Sequence, residues 1–341
     1  MRRTAVSAVM GANDAGAPAS PRFDPSLACF LEEIYAECNR PERLELDPLA
    51  VAKRYSAPSD IEVAGLICST LAFGSVELII RACERALEPL GANPSKALSA
   101  MNDRDIARNW AHFQYRFCFP RDMIGLMRAI RAALRGYGSL EALFVDGDAR
   151  AAVSGADAEA YPAMAAPSES LAALAPTKSG DSIIMATSRF VRRLRAWSVD
   201  ACPGGIRKNL LPDPADGSAS KRLFLYLRWM ARRDAIDPGC WRTLSPARLI
   251  VPMDTHMIRT CTERLGFLKP RGSGAPSPAK APRKGGAQPP HPVPPAATLR
   301  DAFRVTESFR LYAPRDPVKY DFALTRPGID PRPGDERFGC R

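Results

Sequence analysis

Gly217-Ser-Ala-Ser-Lys221-Arg-Leu-Phe-Leu-Tyr-Leu-Arg-Trp-Met230 is the stretch on which the reading of this chain turns. Small residues precede a lysine, and Leu223, Phe224, Leu227 and Met230 then recur at the spacing of one buried helical stripe. The pattern predicts an amphipathic helix over 218–233, with Lys221 in its first turn. A loop of small residues entering a helix can present backbone N–H groups to a phosphate. The positive end of that helix, with Arg222 alongside, favours the neutral amine of Lys221, and a neutral amine can attack a carbonyl or acetal carbon. Taken alone, the stretch also reads as a solvated lysine beside a cap.

Working outward, the same periodicity recurs along most of the chain. Asp24-Pro25 is a start signal for a helix carrying Leu27, Leu31 and Ile34. Tyr55 to Asp60 reads as a loop, with Ser59 or Asp60 capping one apolar helix that ends near Leu90. Two further helices are predicted over 102–119 and 120–135, the second carrying Met123, Leu126, Met127, Ile130 and Leu134 and stopped by Gly136-Tyr-Gly138. Ile183, Phe190, Leu194 and Trp197 mark another over 183–199. Helices over 254–266, 298–312 and 317–325 follow, the last behind an Asp316 cap and Pro317. Nothing alternates as a strand does and no repeat is visible, so the expected class is all-α.

That reading gives one helical domain over 24–330 between two tails, 1–23 and 331–341. Two segments interrupt it: an Ala-, Ser- and Pro-rich surface excursion at 146–181, and a disordered insert at 270–297. Nine of the chain's 32 prolines fall in the insert. Of the net charge of +11, the first 22 residues carry +2 and the insert +4, leaving +5 on the remainder of the 341 residues. A body this mildly basic permits nucleic-acid binding without demanding it.

Nine cysteines, none in a C-x-x-C pair, suit reduced thiols in a cytosol better than disulfides, a zinc knuckle or an iron–sulfur cluster. The most apolar window, Ile61 to Ile80, holds Glu62 and Glu77 and falls short of a membrane span. The amino terminus reads as a tail rather than a signal peptide.

Ile250-Val-Pro-Met-Asp254-Thr-His256-Met-Ile-Arg259 is the second informative stretch. Asp254 stands where a helix N-cap belongs, which also keeps its carboxylate ionised as a catalytic base requires. Taken alone it reads as a plain cap. His256 invites a metal site, but the chain has three histidines and none is spaced as a second ligand. Asp321, in Asp316-Pro-Val-Lys-Tyr-Asp-Phe-Ala-Leu324, reads as a tie between its helix and the rest of the fold. Arg189, Arg192 and Arg193 lie largely opposite an apolar stripe, as a phosphate-contacting or simply solvated face would. The four tryptophans read mainly as core.

In order, these motifs resemble the helix–hairpin–helix superfamily of DNA glycosylases. A small-residue loop with a lysine opening a helix is followed by a P-x-D-T-H-x-x-R helix start, at 217–265. In that family the lysine attacks the sugar C1′ and the aspartate assists, roles that fall by motif to Lys221 and Asp254. Their separation, and the D-P-V-K-Y-D-F-A-L segment at 316–324, are similar to the archaeal 8-oxoguanine glycosylases. The segments S-x-x-K-R-L-x-x-x-L-R-W-M and Y-S-x-P-x-D-I-E-V-A, the latter at 55–64, are most similar to a bacterial family known only as a domain of unknown function. That resemblance covers most of 24–330.

The family's L-P-G-V-G-x-K-T-A hairpin is replaced here by Pro212-Asp-Pro-Ala-Asp-Gly217-Ser-Ala-Ser-Lys221, and there is no C-terminal cysteine cluster. What the resemblance implies is a two-lobed, cytoplasmic, nucleoid-associated monomer without metal or other cofactor, excising a damaged base, oxidised purine first, with or without strand cleavage. Its DNA contacts would come from Gly217, Ser218, Ser220, Arg222, Arg228, Arg189, Arg192, Arg193 and His256. Two other readings stay open: a non-catalytic DNA-binding protein that kept the fold, and an interaction protein with no nucleic-acid role.

Overall fold

A computed structural model describes residues 22–146, 183–270 and 296–338. The expected tail at 1–21, nearly all of the 146–181 excursion and most of the 270–297 insert lie outside the described residues. Within them the chain is all-α, as its periodicity predicts: thirteen α-helices joined by short 3-10 turns, with isolated bridges in place of strands.

The central helix is α3, Pro58–Leu71, entered through a proline at its first turn and buried along every residue from Asp60. Around it stand α2 (Leu49–Ala52), α4 (Val76–Leu87), α5 (Pro94–Ala100) and α8 (Leu140–Asp146). Beyond these, α7 (Pro120–Tyr137) packs on α9 (Ile183–Trp197), and α6 (Asp103–Asn109) on α7. Glu62, the acid that argued against a membrane span, is buried within this group. Its carboxylate accepts the N–H groups of Leu140 and Glu141 at the start of α8 and of the Trp241 indole, at 2.9–3.1 Å. No helix among the described residues is long and apolar enough to cross a membrane.

A second group joins the two ends of the chain. Asp24 caps α1 (Pro25–Cys38), as its Asp-Pro start predicts, and α1 packs on α13 (Asp321–Ile329). α13 in turn holds α11 (Thr255–Glu263). α12 (Leu299–Arg310) joins them through Phe309, against Phe267 and Tyr320. The link between the groups is α10, Lys221–Ala231, which packs on α3 and carries Leu223, Phe224, Leu227 and Met230 fully inward.

Four expectations are corrected. The apolar run to Leu90 is two helices, not one. It breaks at Ala72–Ser75, where Gly74 takes φ +112 and lies so close to the Tyr115 hydroxyl that a Cβ would stand 2.8 Å from it. Asp60 does not cap its own helix but accepts the Ser95 N–H of α5 at 2.8 Å. The helix predicted over 102–119 stops at Asn109, and the chain then folds into a tight turn that pairs Tyr115 with Cys118. The last helix starts at Asp321 rather than 317, because the Asp316 carboxylate is held by Arg232 at 2.8 Å and caps nothing. The eight described cysteines are all free thiols. Trp110, Trp229 and Trp241 are core residues, while Trp197 is half-buried.

Candidate active site

Lys221 opens α10, the link between the two groups, and Asp254 opens α11 of the second group, and the fold brings those two helix starts together. The approach to Lys221 is a 3-10 turn, Pro214–Asp216, ended by Gly217 at φ +82. Ser220 follows in the left-handed region at φ +40 with its side chain buried, an arrangement that costs a non-glycine residue about 1–2 kcal/mol. The loop is fastened to the start of α12, where Leu299 N–H donates to the Gly217 carbonyl. Asp254 caps α11 by accepting the Met257 N–H at 2.7 Å. Its other oxygen stands 3.8 Å from the Lys221 amine, an ion pair outside hydrogen-bond reach. The lysine side chain is 36% exposed and the aspartate 20%.

Both line a cleft of about 440 Å³ that also takes in Ala72, Gly74 and Val76 from the break between α3 and α4, and Phe322, Thr325 and Arg326 from α13. Two carboxylates that sequence reasoning did not place in the site stand in its wall. Asp321 is buried and gives one oxygen to Arg228 at 2.5 Å. Burial pushes its carboxyl up to about 6, with Arg228 pulling down and Asp254 pushing up again. Asp47 holds Arg326 at 3.2 Å. Asp321 was legible as a tie. Its partner lies 93 residues away, and no local pattern names such a pair.

Other predicted contacts separate. His256 lines the same cleft, half-buried against α13, where Gly328 leaves room for its ring. Burial lowers its pKa, with Asp254 opposing the shift. Arg228 also lines the cleft, but it is 3% exposed and its guanidinium is locked between Asp237 and Asp321. Arg222 donates to the carbonyls of Thr70 and Asn209 and lies over the Phe73 ring, and burial brings its guanidinium down to about 10. It ties segments of main chain together.

Arg192 is paired with Asp213 at 2.5 Å, and Arg193 lies between the rings of Tyr137 and Trp197. Along with Arg189, both are half-buried on α9 and outside the cleft. Ser218 accepts the Ser220 N–H within its own loop. Gly217 is exposed. The two acids of the altered hairpin are also engaged, Asp213 with Arg192 and Asp216 with Lys208. Among the described residues no three His, Cys, Asp or Glu side chains cluster as metal ligands would.

An all-α chain with a lysine–carboxylate pair at two converging helix starts is thus the class the fold defines. The chain belongs to the family described as protein of unknown function (DUF2400), whose model matches residues 47–276 and 294–330. No curated protein and no solved structure matches it.

Proposed function

We propose that the protein is a DNA base-excision enzyme of the glycosylase type, with Lys221 as nucleophile and Asp254 as its partner carboxylate. The observation that carries the reading is the convergence of a half-exposed lysine and a capped carboxylate, 3.8 Å apart, on one concave cleft. They come from separate helices 33 positions apart in sequence, and each lies at the dipole-positive end of its helix.

In this reading a damaged base is swung out of the stack into the cleft. The Asp254 carboxylate stabilises positive charge developing at C1′. The Lys221 amine forms a bond to C1′ while the bond from C1′ to the base breaks, its electron pair leaving with the base. Loss of the amine proton and opening of the sugar give a Schiff base. Removal of a C2′ proton would then expel the 3′ phosphate and nick the strand. Oxidised purine remains the first substrate to try.

Incubation with lesion-bearing duplexes, 8-oxoguanine included, followed by borohydride should give a covalent adduct with wild type and none with Lys221→Gln. Base release or binding with no adduct on any lesion would remove Lys221 from the chemistry.

The altered hairpin and the only mildly basic body favour a second reading, a DNA-binding protein without chemistry. It predicts salt-dependent binding that Lys221→Gln leaves unchanged.

A further inference from the structure

The Lys221 cleft is electrically closed. Its lining carries three cations, and each faces one of three carboxylates: Lys221 on Asp254 at 3.8 Å, Arg228 on Asp321 at 2.5 Å, and Arg326 on Asp47 at 3.2 Å. Behind them Asp237 adds another negative charge against Arg228. A wall balanced in this way suits an uncharged group, such as a base with its sugar, and keeps no surplus cation for a phosphate. A polyanionic ligand reacting at Lys221 must have its phosphates held elsewhere.

A second cleft, of about 370 Å³, lies on the far side of His256. The two clefts share His256, Thr325 and Gly328 in their walls, so the imidazole is a partition between them. Gly328 makes that position available, since a Cβ there would stand 2.7 Å from the histidine Nδ1. The second cleft carries Arg259 and Arg264 against a single acid, Glu263. Arg264 lies over the Phe30 ring at 4.9 Å. Arg259 sits three positions after His256 on α11, half-buried, and among the described residues it makes no ion pair or hydrogen bond. An unpaired guanidinium in a concave site beside a balanced one is the local surplus of charge, and its planar fork matches two phosphate oxygens.

We infer that the cleft bounded by His256 and Arg259 holds a backbone phosphate of the strand whose sugar lies at Lys221. The inference rests on the DNA reading and gives it a phosphate site that no hairpin supplies.

The test uses the full chain, a lesion-bearing duplex and a salt series, with Arg259→Gln, Arg259→Lys and the exposed Arg104→Gln beside wild type. Arg259→Gln should weaken binding and make the slope of log affinity against log salt shallower by about one. Arg259→Lys should keep the wild-type slope, and Arg104→Gln should match wild type in both slope and borohydride adduct. An unchanged slope for Arg259→Gln, or an equal loss for Arg104→Gln, would overturn the phosphate site while adduct formation leaves the glycosylase reading standing. Absence of both binding and adduct in wild type would remove the reading, and this site with it.

Discussion

Two arrangements of basic and acidic side chains lie within one helix of each other and do opposite things. At the inner end of α10, Arg228 and Arg232 are locked among Asp237, Asp321, Asp234 and Asp316, with the arginine side chains at 3% and 5% exposure. At the outer end, Lys221 faces Asp254 at 3.8 Å, and both remain reachable from the cleft. The inner cluster is hydrogen-bonded nearly throughout and joins α10 to α13 and to the turn at 234–237. The outer pair is too far apart for a hydrogen bond. The sign of the charges does not distinguish the two. Burial and geometry do, and they make the first a fastening and the second a group free to react.

Breaking the inner cluster should therefore have the largest effect on stability. Arg228→Met leaves Asp321 without its cation and Asp237 with only Arg232, and removing one partner of a buried pair costs about 3–5 kcal/mol. Denaturant unfolding should show the loss. A change under about 1 kcal/mol would mean the cluster is not the fastening described.

The same cluster should leave a mark on the pH dependence. The Asp321 carboxyl stands at about 6 in the folded chain against an ordinary 3.8. Between those values the folded protein holds a proton that the unfolded chain has released, so stability falls as pH rises from about 4 to about 6. Asp321→Asn should flatten stability over that window. Burial also raises Glu62 and Asp237, so the slope should shrink rather than vanish. A slope equal to wild type would place the Asp321 carboxyl near its ordinary range.

How far the sequence reaches follows the same division. The helices, their buried stripes and the caps at Asp24 and Asp254 are local consequences of spacing and of a few residue types, and they can be read directly. Lys221 and Asp254 were legible in the same way as helix starts, while their candidacy as a pair came from the order of the motifs and the resemblance it carries. Arg228 could not be assigned, since an arginine one turn from a buried stripe looks the same whether it meets solvent or two acids from distant segments. Asp47 and Arg326 were invisible for that reason: their pairing exists only after α1 and α13 close the two ends of the chain. The break at Ala72–Ser75 was missed because the apolar pattern runs through it, and only the close approach of Tyr115 shows why glycine is needed there.

At Asp254 two roles are superposed, and substitution can separate them. Asp254→Ala removes the cap on α11 and should cost about 0.5–2 kcal/mol. Asp254→Asn keeps an oxygen for the Met257 N–H and should cost clearly less, while removing the charge that faces Lys221. If the carboxylate assists the amine, both variants should lose adduct formation although only one loses the cap. An Asn variant with full adduct yield would reduce Asp254 to a cap.

The smallest stability effect belongs to the residue to which the proposed reaction gives the largest role. Lys221 is 36% exposed and its pairing with Asp254 is half-open, so Lys221→Gln should change stability by less than about 1 kcal/mol. It sits at the first position of α10, where glutamine is as good a helix former as lysine, and the buried stripe behind it is untouched. The variant should therefore unfold at nearly the wild-type denaturant midpoint and still bind DNA. What it should lose is the borohydride adduct. A large loss of stability would instead put Lys221 in the same class as Arg228, as a cation whose work is to hold two helix starts together. Folding intact with the adduct gone is the one combination that a structural lysine cannot produce.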